Sequence, residues 1–546
     1  MKTIVAGAIG ECVHVAGVSN FLRLAEQNGW RTVFLGPAVP ASEILKVAKK
    51  EKADMVGVSY RLTPENGEQL LADFAEQADD LRTAGVKFAF GGTPPVVDRV
   101  SRLNFFDNSF DGTETTEEII AFLRGQDVTS LTEEDYPQTA VERLEWKAPY
   151  PLIRHHFGLP DLEATIQGVE LIANSKSLDV ISLGIDQDAQ ENFFHPDRQD
   201  IRRKGAGGVP VRTAEDYSRL FLASRTGNFP LLRTYSGTDD FIALAEMYVK
   251  TINISWAAVP LFWFNRMDGR GPWDLEGSIR EHIKLMAWYG KRNIPVEANE
   301  AHHWGMRDAH DSVFVVSAYL AAYNAKAAGV RDHIVQMMFN SPPGTSAAMD
   351  IAKMTAVIDM IAPLESPDFR IWKQVRTGLL SYPVDQDKAR AHLAISVFTQ
   401  MQIKPDIVHV VGYPEADHAV TAEEVIGSCK MARKAIDDAM SSHLDVTSSE
   451  MIQQRVKELV SEAGKLVNAI HQLGAGISTD PLADPKVLAM AVTSGMLDAP
   501  QLKNNPYGRG EVVTSIDRKG ACVAIDIKTG KPINEEQRLA MQRARS

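Results

Sequence analysis

Gly10-Glu11-Cys12-Val13-His14-Val15-Ala16-Gly17 follows directly on the apolar run at 3–9. Ser59 ends a second apolar run, at 55–58, and Gly91-Gly92 ends a third, at 87–90. Short apolar runs of this kind read as buried parallel strands. Around them lie helical stretches at 15–28, 41–50 and 65–84, a further strand at 32–35 and a last helix at 115–123. Asn28-Gly29 and Ala84-Gly85 are helix stops of the usual kind. The alternation over residues 2–126 predicts an α/β fold, a doubly wound flavodoxin-like sheet. His14, Ser59 and Gly91-Gly92 then fall at C-terminal strand ends, where open α/β sheets bind their ligands.

One His among small residues at such a sheet edge suits a large flat ligand that carries a metal and a tail. The constellation resembles the cobalamin-binding domain of B12-dependent mutases and methionine synthase, whose pattern is Asp-x-His-x-x-Gly, Ser-x-Leu and Gly-Gly. The resemblance implies that His14 replaces dimethylbenzimidazole below cobalt and is the metal ligand. Gly17, lacking Cβ, would let the displaced nucleotide tail pass close to the backbone. Ser59 would hydrogen-bond the tail, and Gly91 and Gly92 would line its slot. Two departures are visible: Cys12 stands where the family has the Asp that orients the His, and Ser59-Tyr60-Arg61 replaces Ser-x-Leu, with Leu62 one place late. A carboxylate partner raises the basicity of a ligating His, so His14 is expected to be a differently tuned ligand, with Glu11 as the nearest substitute.

The chain has 546 residues, too many for one core, and two or three domains are expected. Its formal net charge of −13 argues against a nucleic-acid footprint and an anionic membrane surface. Three cysteines, Cys12, Cys429 and Cys522, form neither a disulfide framework nor a Cys-x-x-Cys zinc signature. The run at 3–9 is too short for a leader, and the apolar stretch at 312–330 holds Tyr319, Tyr323, Asn324 and Lys326, a buried helix rather than a span. A cytoplasmic protein is expected.

The cobalamin-binding domain is expected to occupy 1–126 and a polar linker 127–150. Over 151–447 the βα pattern continues with strands at 180–185, 231–235, 251–255, 294–297, 333–339, 392–398 and 407–412. Seven or eight such units predict a (β/α)8 barrel, with a larger open sheet as the alternative. Polar residues end these strands, as a barrel active site needs: Asp186-Gln187, Arg233, Asn299-Glu300, Asn340-Ser341 and Glu415-Ala416-Asp417. Residues 448–546 form an appendage, with an amphipathic helix at 449–473 and a hairpin-like segment at 518–526.

The barrel and tail resemble the catalytic subunit of cobalamin-dependent glutamate mutase (methylaspartate mutase), and the N-terminal domain resembles its small cobalamin subunit. Gly112-Thr113 falls where that subunit has a Gly-Thr turn. Arg233-Thr234-Tyr235-Ser236-Gly237-Thr238-Asp239 is similar to Arg-His-Gly-Thr-x-Asp, and Asn299-Glu300 to part of Arg-Glu-Pro-Phe-Gly with the Arg lost. Glu415-Ala416 resembles a Glu-Ala near the adenosyl site, although the Lys four residues earlier is Val411 here. Asn505-Pro506-Tyr507-Gly508-Arg509-Gly510 is similar in place to an Asn-Ala-Gly-Lys stretch. What the resemblance implies is cofactor contacts at Thr113 and Glu415, a substrate carboxylate held by Arg233, and Glu300 pairing a substrate ammonium or moving a proton. Arg233 as a rim salt bridge and Glu300 as a helix cap are the plainer alternatives. His302, His303 and His310 lack zinc-ligand spacing, and contact of His302 or His303 with corrin or substrate is expected instead. Gly205-Ala206-Gly207-Gly208, after Arg202-Arg203-Lys204, is either an anion cradle or a mobile loop. Trp256, Phe262, Trp263 and Phe264 read as core or as the wall of a radical cage.

The expected protein is thus an adenosylcobalamin-dependent carbon-skeleton mutase, a homodimer acting on a small carboxylic acid. The departures at Asn299 and Val411 put glutamate itself in question. A methylcobalamin-dependent methyltransferase is the first alternative, although it is expected to carry a helical cap ahead of the His motif. A corrinoid carrier or sensor is the second, disfavoured by the lack of a basic stripe.

Overall fold

The computed structural model describes residues 1–126, 132–442 and 444–544, and the chain folds as two units, Met1–Asp135 and Tyr136–Ser546. In the first, five parallel strands lie in the order β2-β1-β3-β4-β5: β1 Thr3–Ala8, β2 Arg31–Phe34, β3 Met55–Tyr60, β4 Lys87–Gly92 and β5 Asn108–Phe110. β1 and β3 are buried along their whole length, as apolar strands covered on both faces must be. Trp30 packs into this core and donates its Nε1–H to the Leu123 carbonyl at 3.2 Å, tying the last helix, Thr116–Leu123, to the edge of the sheet. β5 and the short helix Pro94–Val100 were not expected from sequence. The strand order reverses between β1 and β3, the position where a doubly wound sheet opens a ligand crevice.

The second unit carries eight parallel strands in the order β8-β7-β6-β13-β12-β11-β10-β9. They are β6 Leu152–Phe157, β7 Val180–Leu183, β8 Leu231–Arg233, β9 Ala257–Ala258, β10 Val296–Ala298, β11 Asp332–Phe339, β12 Arg370–Thr377 and β13 Ile407–Val410. The barrel is nearly closed. Between β8 and β9 the ladder is missing, and Ser255 bridges them by donating its N–H to the Leu232 carbonyl at 2.8 Å. The expected strand at 251–255 is corrected: the helix Phe241–Ile252 runs into it, and the strand follows at β9. The expected strand at 392–398 is corrected too, because those residues lie on the helix Gln386–Gln400, which buries Ala389, Leu393, Val397 and Gln400 at helical spacing. β6 and β12 were missed.

Within 127–150, read from sequence as a linker, residues 127–131 lie outside the described residues. Ala140–Lys147, however, is a helix of the second unit. Its Ala140 and Leu144 pack with Leu152, Val180, Leu231 and Ile407, the first residues of four barrel strands. This helix therefore covers the N-terminal end of the barrel. Lys147 donates to Asp179 at 2.6 Å, a pair buried on both sides. In the C-terminal segment the helix Glu450–Leu473 packs on the helices Asp311–Ala327 and Ala347–Ile361. Two short antiparallel strands follow, β14 Thr514–Ile516 and β15 Cys522–Ala524. No helix among the described residues is long and apolar enough to cross a membrane.

Candidate functional site

The C-terminal edge of the first sheet carries the residues singled out from sequence, Ser59, Gly91 and Gly92 on the last residues of β3 and β4 and the others in the segments after β1 and β5. Gly10 turns the chain out of β1 with φ +69°, a conformation that favours glycine. Behind it Cys12 is buried and His14 exposed, with Cys12 Sγ 3.9 Å from His14 Nδ1. Cys12, and not Glu11, is thus the side chain beside the imidazole. Ser59 lies next to Gly91 in the β3–β4 register and Tyr60 next to Gly92. Ser59 Oγ is buried and has no hydrogen-bond partner, an exception among buried polar groups that a bound tail would remove. A Cβ on Gly17 would project into open space at the start of the helix Ala16–Gln27, whereas one on Gly92 would press to 3.0 Å on Phe90. Thr113 is exposed in the turn after β5, donating to Asp111 at 2.6 Å. An exposed imidazole, an orphaned buried hydroxyl and an open glycine on one sheet edge fit cobalamin in its tail-buried form.

In the barrel, side chains two apart on a strand share a face, and the inward positions above the apolar floor are polar. Arg154 and His156 on β6, Arg233 on β8 with Tyr235 beyond it, Glu297 on β10, Gln336 on β11 and Arg376 on β12 line a cavity of about 240 Å³. Asn299, His302, His303, Phe264 and Arg270 complete much of its wall. Glu297 Oε2 is shared by Arg154 at 2.6 Å, Arg233 at 3.2 Å and the Trp256 Nε1–H at 2.7 Å. Burial alone would raise the Glu297 carboxyl, but Arg154 and Arg233 hold it down at about 2. Burial, then Arg233, brings Arg154 down to about 9, still a cation at neutral pH.

A relay of amides orders the site. An arginine can only donate, so Gln374 Oε1 accepts from Arg154 at 2.8 Å and its amide donates to Gln336 at 3.0 Å. Gln336 then donates to His302 Nδ1 at 2.9 Å, which leaves the His302 proton on Nε2. The rings of His156, His302, His303 and His409 are all kept well below the usual range, by burial first and by neighbouring cationic or imidazole groups second. They are neutral donors and acceptors. His303 packs on His302 and has no partner for either ring nitrogen.

Arg233 is in the cavity, as the sequence implies, though already engaged with Glu297 and Ser182. Glu300 is corrected: it does not line the cavity and does not cap its own helix. It accepts from Leu261 N at 2.7 Å, Phe262 N at 3.1 Å and Trp304 Nε1 at 2.9 Å, and so fastens the loop after β9. Burial pushes its carboxyl up to about 7 against those donors. Glu415 is likewise outside the cavity lining; it accepts from Gly412 N at 2.6 Å and lies 3.6 Å from His155. His310 pairs with Glu535 at 2.9 Å, away from His302 and His303. Gly207 reaches the cavity, but Arg202 and Arg203 are held by Asp200 and Glu191 rather than free for an anion. Arg154 and Arg376 were missed, on the two strands that were missed.

Comparison with known proteins bears on the first unit. Residues 2–120 match the family model described as the B12 binding domain. No curated protein matches the chain significantly. Among solved structures, a cobalamin-binding protein from Desulfitobacterium hafniense DCB-2 is 22% identical over 22% of this chain and 58% of its own, with a TM-score of 0.20. The methanol:cobalamin methyltransferase complex MtaBC from Methanosarcina barkeri is 29% identical over 25% of this chain and 52% of its own, with a TM-score of 0.19. The Amycolatopsis orientalis BexX/CysO complex is 11% identical over 58% of this chain and 100% of its own, with a TM-score of 0.29. The chain thus spans little more than half the length of the two cobalamin proteins. Its first unit holds a B12-binding domain of the doubly wound kind, and its second a nearly closed parallel barrel.

Proposed function

We propose that this chain is an adenosylcobalamin-dependent mutase that rearranges the carbon skeleton of a small carboxylic acid. The observation that carries the proposal is the barrel cavity, where arginines crowd the C-terminal strand ends beside the neutral His302–His303 pair. Barrels place their chemistry at that end, and guanidinium forks hold carboxylates by paired charge-assisted bonds. The B12 binding domain match supplies the other half. His14 would be the protein ligand to cobalt, Ser59 would satisfy its hydroxyl on the buried tail, and Gly17 and Gly91 would leave room for it. When bound, the cofactor supplies a cobalt–carbon bond weak enough to open homolytically. Everything else falls to the protein. Arg233 and Arg376 would orient the acid, His302 would present its Nε2–H, and Phe264 and Trp263 would keep water from the reacting carbon. The helix Ala140–Lys147 leaves the strand-end mouth as the way in.

The test is freeze-quench electron paramagnetic resonance of the chain loaded with adenosylcobalamin and mixed with small branched acids. An organic radical signal that appears only with a particular acid is expected. Methyl transfer to an acceptor, with no radical under any acid, would overturn the proposal in favour of a methyltransferase.

A further inference from the structure

We infer that the barrel cavity selects a small dicarboxylic acid without a charged amino group, and that Arg376 takes one of its two carboxylates. The inference concerns the same cavity as the proposed mutase activity and rests on that reading only for the reaction, not for binding.

The charges lining the cavity do not balance. Its cations are Arg154, Arg233, Arg270 and Arg376, and its one carboxylate is Glu297. Arg270 is answered outside the cavity by Asp268 at 3.0 Å. Glu297 answers one charge and is shared by Arg154 and Arg233. Arg376 has no carboxylate within ion-pair distance among the described residues, since the groups that act on it electrostatically, Glu415 first, do so without contact. Three inward arginines against one carboxylate leave two positive charges for a ligand to neutralise. The histidines do not change the count, because burial keeps them uncharged.

The hydrogen-bond inventory agrees. Nε of Arg154, Arg233 and Arg376 are all buried without an acceptor. Buried donors on charged groups are costly to leave unpaired, and three of them around one cavity call for acceptor oxygens. Their spacing is informative. Arg376 lies beside His409 in the β12–β13 register, and His409 beside Arg154 in the β13–β6 register. Arg376 and Arg154 therefore stand at one level of the barrel, two strands apart, about 10 Å between backbones at the usual strand spacing. One carboxylate at the Arg154–Arg233 side and another at Arg376 would be bridged by a short carbon chain. About 240 Å³ admits such a molecule.

An ammonium has no place in this arrangement. Glu300, the carboxylate that the sequence offered for one, is turned away into the loop after β9. Glu297 Oε1 has no partner, but the group it belongs to already sits between two guanidiniums. An ammonium beside it would meet two cations for one anion.

Isothermal titration of the full-length chain decides the matter without turnover. The probes are methylsuccinate, glutamate, 2-methylbutyrate and inorganic phosphate. Methylsuccinate is expected to bind at least ten-fold tighter than each of the others. Arg376→Met is expected to weaken methylsuccinate at least ten-fold and 2-methylbutyrate less than two-fold, and Arg376→Lys to recover part of the loss. The wild-type ranking stands as a test even if a variant fails to fold. Glutamate binding as tightly as methylsuccinate, phosphate binding more tightly, or equal losses for diacid and monoacid in Arg376→Met would each overturn the inference. Tight methylsuccinate binding without any radical would leave the inference standing and remove the mutase reading. A radical triggered by glutamate alone would do the reverse.

Discussion

Glu297 and Glu300 are three residues apart in sequence and opposite in chemistry. Glu297 is held ionised at about 2 by two arginines, while burial raises Glu300 to about 7 although backbone and indole groups donate to it. Because the folded value of Glu300 lies above its ordinary 4.5, the native state holds its proton more tightly than the unfolded chain. The associated stability is fully present below about pH 4.5 and is lost as the pH rises through about 7, up to about 3 kcal/mol. Urea unfolding of wild type and Glu300→Gln at pH 5 and pH 8 should show a larger fall in the wild type; parallel behaviour would mean that Glu300 is not shifted. At His14 the expectation concerns ligation. With ¹⁵N-labelled histidine, electron paramagnetic resonance of the reduced, cobalamin-loaded chain should show coupling to protein nitrogen, and coupling to dimethylbenzimidazole nitrogen instead would remove His14 as ligand. His14 was legible in sequence because its motif is local. Arg376 was not, because its meaning depends on strands far away along the chain.

Among the elements, the two missed strands share a cause. β6, Leu152-Ile153-Arg154-His155-His156-Phe157, and β12, Arg370-Ile371-Trp372-Lys373-Gln374-Val375-Arg376-Thr377, are interrupted by charge. A buried parallel strand is expected to be apolar throughout. Here the inward positions carry the cavity, so the residues that make the site also hide the strands that hold it. The opposite error befell 392–398, where a compact apolar run looked like a strand and the burial period turned out helical. The first sheet was readable because its candidate groups sit on the last residues of the strands or just after them and leave the apolar runs intact. The helix Ala140–Lys147 has no such signature, since it buries Arg143 and Lys147 together with Ala140 and Leu144, yet it closes the barrel floor. Lys147→Met would leave Asp179 buried with Arg433, at 3.8 Å, as a more distant counter-charge, and a loss of up to about 3 kcal/mol is expected from urea unfolding. The double variant Lys147→Met/Asp179→Leu should recover much of it; no recovery would mean that the helix is held by packing alone.

For the molecule as a whole, the proposed function asks two units to share one reaction. The first offers His14, the orphaned Ser59 hydroxyl and an open glycine; the second offers a positively charged cavity at barrel strand ends. Neither half alone distinguishes a mutase from a corrinoid carrier or a methyl transferase. What does so is whether a hydrogen atom passes between the acid held by the barrel and the cofactor held by the first unit. The decisive measurement uses the full chain loaded with adenosylcobalamin and an acid deuterated on its reacting carbon. The proposed function requires deuterium to appear on the 5′-carbon of the adenosyl group, detected by mass spectrometry of the recovered cofactor. Turnover of the acid with no deuterium in the adenosyl group would contradict it.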